Sequence, residues 1–279
     1  MKLKNTMYRS LVALACAAGA GHATATENNA RDYFSAPEGT KLGVLYFADI
    51  RADSAYAKGN EIASNLAFKG QAALMRWVYM DNCFGLLCNL QLIVPVQRLN
   101  SDALGLHASG FADSIVGGTI WLQNDSKERN FVGLTNFLFM PTGAKGVGAE
   151  RWQTNHMLNV TRGFGPTVLE GTVDLNFYGN QQSAAGATKK DPYYTLQFHA
   201  SYDLTPSTYL GARYRYAGGG AEKTNGVESA GAASNHQLAA EVGTWLSARD
   251  QVLVHYNKDL KVENGLKQSQ LWLRFIRVF

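Results

Sequence analysis

Three histidines, His156, His199 and His255, fall in segments of alternating residue type, and serines are plentiful along the chain. An outer-membrane lipid hydrolase would need one such serine, a histidine base and an orienting acid within hydrogen-bond reach. No serine sits in a recognisable nucleophile motif, so catalysis has only scattered residues behind it and the chain does not read as an enzyme. Gly143-Ala144-Lys145-Gly146 has the spacing of neither a phosphate loop nor a dinucleotide fingerprint, and no cofactor is implied. Asn159-Val160-Thr161 fits a glycosylation triplet, a pattern frequent by chance. Cys83 and Cys88 lie close together without a His/Cys pair at ligand spacing, which argues against a metal. A disulfide across a turn is the favoured reading, on condition that the turn brings the Cβ atoms within reach.

The charged residues point to a different chemistry, that of an enclosed polar wall. Side chains of a β-strand alternate between its two faces. In 168–178, Leu169, Val173, Leu175 and Phe177 share one face, and Glu170, Thr172, Asp174 and Asn176 the other. Tyr194, Leu196, Phe198, Ala200 and Tyr202 oppose Thr195, Gln197, His199, Ser201 and Asp203. Leu210, Ala212, Tyr214 and Tyr216 oppose Gly211, Arg213 and Arg215, and Leu271, Leu273 and Phe275 oppose Gln270, Trp272 and Arg274. If the apolar face meets lipid, then Glu170, Asp174, His199, Asp203, Arg213, Arg215, Glu241 and Arg274 share a lumen, with Trp245 and Trp272 on the same parity. Those charges either set up a field that selects polar solutes or pair to hold the barrel's shape. The two tryptophans either line a dry constriction or simply pack against strand neighbours.

Twelve segments read as strands, near 40–51, 66–79, 88–98, 111–122, 131–140, 152–162, 167–178, 193–203, 208–217, 236–246, 251–258 and 268–279. The fold expected is all-β: a transmembrane, antiparallel, up-and-down β-barrel of about 12 strands. The connections keep phase with it. Those at 163–166, 204–207 and 247–250 are short, as periplasmic turns are, while 179–192 and 218–235 are long, as outer loops are. Phe177, Tyr194 and Tyr216 then lie at the outer ends of consecutive strands on the lipid face, as an aromatic girdle would.

Composition agrees. Of 279 residues, 46% are hydrophobic and 17% charged, with a net charge of +4, which excludes a disordered chain and gives nucleic-acid binding little support. Lys2, Lys4 and Arg9, the apolar run from Leu11 to Ala20 and Ala23-Thr24-Ala25 form an export signal, giving a signal peptide over 1–25 and a barrel over 26–279. Cleavage after Ala23 is the close alternative, and Cys16 loosely resembles a lipid-attachment cysteine but lacks the leucine three places before it. The longest later apolar run, Leu86 to Val96, is broken by Asn89, Gln91 and Pro95, so a spanning helix is excluded and only a closed barrel would cross a membrane.

Glu27-Asn28-Asn29-Ala30-Arg31-Asp32-Tyr33, Pro37-Glu38-Gly39-Thr40, Met140-Pro141-Thr142-Gly143, Glu150-Arg151-Trp152, Ser201-Tyr202-Asp203-Leu204-Thr205-Pro206, Tyr216-Ala217-Gly218-Gly219 and Val262-Glu263-Asn264-Gly265 through to Val278-Phe279 carry a likeness over nearly all the mature chain. In them the sequence resembles the outer-membrane transporters grouped as the MetA-pathway phenol degradation family. The resemblance implies a barrel that helps hydrophobic or aromatic compounds across the outer membrane, and carries over no catalytic residues. The C-terminal strand would be the segment that barrel-assembly machinery reads. Arg277 departs from the apolar or aromatic residue usual two places before a terminal Phe, but the family shares a basic residue there.

The function expected is passage or uptake of small hydrophobic or aromatic solutes, without a chemical step, by a barrel whose other partner is outer-membrane lipid. Twelve strands fall between barrels that fill with side chains and barrels that leave a water channel, so the passage should be narrow and partly plugged. The alternatives are a structural or surface-interaction barrel working through the 179–192 and 218–235 loops, whose composition looks like solvated linker, a lipid hydrolase, and a soluble periplasmic β-protein with its apolar face inward.

Overall fold

The structure, a computed structural model, describes residues 28–183 and 186–279. The expected signal peptide, both cleavage positions and Cys16 lie outside the described residues. The strands in chain order are β1 (Lys41–Ala57), β2 (Asn60–Ala63), β3 (Phe68–Cys83), β4 (Leu86–Ser101), β5 (Leu106–Phe111), β6 (Ile115–Asp125), β7 (Asn130–Phe139), β8 (Gln153–Phe164) and β9 (Thr167–Tyr178). They continue with β10 (Gln181–Ser183), β11 (Gly186–Lys190), β12 (Tyr193–Asp203), β13 (Thr208–Gly219), β14 (Glu222–Thr224), β15 (Val227–Ala230), β16 (Ala233–Trp245), β17 (Asp250–Lys261) and β18 (Gly265–Val278).

Fourteen of these form one antiparallel sheet, and β18 pairs back onto β1 to close it. Leaving out the short β2 and β5, which lie off its outer rim, twelve strands make the wall in sequence order. This is the closed up-and-down barrel that the alternation implies. Connections 84–85, 126–129, 165–166, 204–207 and 246–249 are all short and share one rim, which is therefore the periplasmic one. Phe84 and Gly85 both have positive φ, 57° and 85°, as a two-residue hairpin turn requires. Beside that turn Cys83 and Cys88 are disulfide-bonded, with their Cα atoms 5.7 Å apart.

The segment expected as one strand over 111–122 is two. Pro95 has no N–H to give, and it sits where β4 changes partner: 88–93 pair with β6, 96–101 with β5. Its carbonyl accepts from Ala112 N at 2.9 Å, and the chain turns between the two strands there. The long outer loops are also more ordered than their composition suggests. β10, β11, β14 and β15, from the 179–192 and 220–232 connections, pair into a separate four-stranded sheet.

The two faces of the wall are the inverse of a soluble β-protein. Leu169, Val173, Leu175, Phe198, Leu271 and Leu273 are exposed on the outside, while Glu170, Asp174, Gln197, His199 and Arg274 are buried inside. A continuous apolar exterior of this kind is stable only against hydrocarbon. Phe198 stands at the middle of β12 and is 57% exposed. Phe198→Arg should lower stability in phospholipid vesicles by about 2–4 kcal/mol, as a cation at mid-membrane does. Denaturant unfolding of the refolded barrel reads this directly, and a loss near zero would mean the face does not meet lipid.

Candidate functional site: the lumen and the segment that fills it

Residues 28–36 are not a tail. The turn at Pro37-Glu38-Gly39, where Gly39 takes φ 81° and donates its N–H to Met80 O at 2.9 Å, reverses the chain at the periplasmic rim. The segment before it runs up inside the barrel, where Asn29, Ala30 and Tyr33 are buried. An irregular segment in a lumen must satisfy its own backbone groups, and the polar wall supplies the partners. Ala30 N donates to Glu241 Oε1 at 2.9 Å and Arg31 N to Glu170 Oε2 at 2.7 Å. Arg213 Nη1 donates to Asn28 O at 3.0 Å, Tyr209 OH to Ala30 O at 3.2 Å and Trp121 Nε1 to Tyr33 O at 2.9 Å.

Side chains extend the clamp. Arg31 Nη1 lies 2.6 Å from Asp203 Oδ1, and its guanidinium sits 4.1 Å above the Tyr209 ring. Arg129 shares Asp203 at 2.7 Å. Asp32 forms a buried ion pair with Arg274, which also donates to Gln251 at 3.0 Å. The Tyr33 hydroxyl lies 3.1 Å from Thr135 Oγ1, and burial pushes its pKa well above the ordinary tyrosine value. Gly133 leaves space for that ring: a Cβ there would come within 2.7 Å of it.

The structure thus gathers half of the ten named wall residues around one object. Glu170, Glu241, Arg213, Arg274 and Asp203 all hold the N-terminal segment. Asp174 instead accepts from Asn155 and, at 2.7 Å, from Asn176, and Arg215 donates to Tyr193 OH at 3.1 Å. His199 is buried, with neither ring nitrogen hydrogen-bonded among the described residues. Trp272 is buried, donates to Gln270 at 2.9 Å and stacks on His255 with ring centres 5.8 Å apart. Trp245 needs correction. It keeps the inward parity, but it is the last residue of β16 beside the 246–249 turn and 39% exposed, so it lies at the periplasmic rim and forms no constriction. Phe177, Tyr194 and Tyr216 lie at outer strand ends; Tyr194 and Tyr216 rings are 6.0 Å apart, and His236 joins them 5.1 Å from Tyr216. His156 faces outward against Asn136, away from His199 and His255, so the three histidines do not converge.

Two features escaped the sequence reading. The first is an apolar sector inside the wall. Ile50, Phe68, Leu74, Ile93, Phe137 and Trp272 belong to one buried cluster on β1, β3, β4, β7 and β18. β1, β3 and β4 carry apolar residues on both faces, so alternation of polarity is weak there and gives little cue. The second is an outer cap. Arg151 and Lys190 both lie 3.5 Å from Glu222 Oε1, Arg151 also donates to Gln181 at 2.5 Å, and Lys190 sits 4.6 Å above the Tyr178 ring. Burial holds the Lys190 pKa below the ordinary lysine value although Glu222 pulls it up. These contacts tie the 140–152 connection to the small outer sheet, so neither loop behaves as linker. Among the described residues no His/Cys/Asp/Glu group could hold a metal ion.

The family model described as "Putative MetA-pathway of phenol degradation" matches residues 48–275, nearly the whole wall. The chain belongs to this family. A solved structure, the COG4313 outer membrane channel from Pseudomonas putida F1, is 25% identical, covers 91% of this chain and 100% of its own, and superposes with a TM-score of 0.86. The β domain of the Bordetella autotransporter BrkA shares the fold at 11% identity and a TM-score of 0.51, covering 87% of this chain and 100% of its own. No curated protein matches the sequence. Membership of this family places the chain in the outer membrane and makes it a barrel of the channel type.

Proposed function

We propose that this barrel passes small apolar and aromatic molecules through the outer membrane without a chemical step, and that its N-terminal segment is the gate. The observation that carries the reading is the division of the inner wall. β8, β9, β12, β13, β16 and β17 turn polar groups inward, and those of β9, β12, β13 and β16, with Arg274 of β18, hold residues 28–33. β1, β3, β4, β6 and β7 turn Ile50, Phe68, Leu74, Ile93, Ile115 and Phe137 inward. A barrel meant only to hold water or sugars has no use for a buried apolar sector, whereas an apolar solute is bound by surfaces of that kind. The polar sector holds the closure, and the apolar sector offers a track that water does not favour. The family's association with an aromatic-degradation pathway, and the channel solved from Pseudomonas putida F1, support the same reading.

The test is a solute panel. Cells carrying the barrel should accumulate a neutral aromatic several-fold faster than cells without it, with no gain for a sugar of similar size. Phe68→Asp should abolish that gain, because it puts a carboxylate into the apolar sector. Equal gains for sugar and aromatic would refute the proposal.

A further inference from the structure

On the lipid face of five adjacent strands, apolar residues give way to charged and polar ones at one level. Moving outward, Tyr256 is followed by Lys258 on β17, Leu271 by Ser269 on β18, Phe47 by Asp49 and Arg51 on β1, Ala73 by Gln71 and Lys69 on β3, and Val96 by Arg98 on β4. Register places these side by side: Lys258 opposite Ser269, Ser269 opposite Arg51, Arg51 opposite Lys69, and Gln71 opposite Arg98. Lys267 stands two places beyond Ser269, opposite Ser54. This end of the strands is the outer one, so the change in polarity marks the outer membrane interface.

The charges there are unbalanced. Arg51 is chelated by Asp49 at 2.9 and 3.3 Å. Among the described residues Lys69, Lys258 and Lys267 make no ion pair. These three lysines and Arg51 line a groove of about 390 Å³ with Ser54, Ser269 and two carboxylates, Asp53 and Asp259, so cations outnumber anions there four to two. The β1–β18 ladder slips at Ala52/Ser54 and the β17–β18 ladder ends at Lys258, beyond which Asp259 Oδ2 accepts from Gln268 N at 2.8 Å. On other strands the same interface carries Phe177, Tyr194, Tyr216 and His236 and no such cluster of cations.

We infer that this groove binds the phosphorylated sugar headgroup of an outer-leaflet glycolipid. The lysines meet its phosphates, Ser54 and Ser269 offer polar partners to its sugar, and Phe47, Leu271 and Tyr256 lie under its acyl chains. Lys267 also stands 5.8 Å over the Tyr56 ring, but an excess of cations beside lipid hydrocarbon still attracts anions, and a lipid phosphate is the anion found at that depth. The groove has room for a sugar phosphate, which separates this site from a general attraction to negative surfaces.

The test uses the full barrel refolded in detergent, with heat-dependent gel mobility as the check on folding, and native mass spectrometry to read bound lipid. Diphosphorylated lipid A should bind, and Lys69→Gln/Lys258→Gln/Lys267→Gln should weaken it by at least about tenfold with gel mobility unchanged. Lys223→Gln, a charge removed from the outer sheet, should bind as the parent does. Phosphatidylglycerol binding as tightly would reduce the site to surface charge, and inorganic phosphate binding as tightly would make it an ion site; either result overturns the inference, as does undiminished lipid A binding by the triple variant. Should the triple variant not fold, raised salt on the parent protein decides: bound lipid A must fall as the lysines are screened, and unchanged binding overturns the proposal.

Discussion

Deletion of residues 28–36 should turn a barrel that conducts poorly in planar bilayers into one with an ionic conductance at least about tenfold higher, because it uncovers the polar sector of the wall and twelve strands leave an interior wider than its own side chains fill. The barrel itself should survive. Every one of its ladders, including the β1–β18 seam, lies outside the deleted segment. What is lost is the set of groups from Asn28 to Tyr33 that occupies the centre. The energetic balance of that segment is close. Ordering each residue costs about 1–2 kcal/mol, and each hydrogen bond returns about 0.5–3 kcal/mol depending on charge. Cost and return are of the same order over these nine residues, so a few contacts decide the outcome. Single-channel recording checks it, and a deleted barrel as silent as the parent would show that the block lies elsewhere, at the outer cap for instance.

Arg274→Met should release the same segment without deleting it. The guanidinium is buried, pairs with Asp32 and holds Gln251. Removing one member of a buried pair leaves the other carboxylate without compensation, at a cost of about 3–5 kcal/mol. Since about 1.4 kcal/mol is a factor of ten, the population with the segment displaced rises by about a hundredfold or more. Protease digestion from the periplasmic side should then cut between Asn28 and Pro37 in the variant and spare the parent. Asp32→Asn combined with Arg274→Met should recover part of the loss, since the stranded charge is gone. If the single and double variants are cut equally, the pair does not hold the gate.

These two expectations rest on a segment that the alternation of residues could not disclose. β9, β12 and β13 are legible because their inner face is polar and their outer face apolar, so each side chain announces its side. β1, β3 and β4 are less so. Val44, Ala48, Ile50, Phe68, Ala72 and Leu74 face inward and are as apolar as Leu45, Phe47 and Met75 facing out. Their strands were placed correctly but drawn short: 40–51 extends to Ala57, 66–79 to Cys83 and 88–98 to Ser101. Residues 28–36 have neither periodicity nor a hydrophobic run. Their fate is set by partners such as Glu241, 211 positions away, and no local rule reaches so far. The outer sheet was hidden for a related reason: Thr188 pairs with Thr224 across two different loops, so each half alone looks like solvated chain. Trp245 shows the limit of parity itself, which gives the side of a wall but not the height along it.

The gripping of Asp32 by Arg274 joins the beginning of the chain to its last strand. β18 must pair with β1 before the wall is continuous. One strand thus serves two purposes, completing the cylinder and anchoring what lies in its bore, and a change that loosens β18 would weaken both.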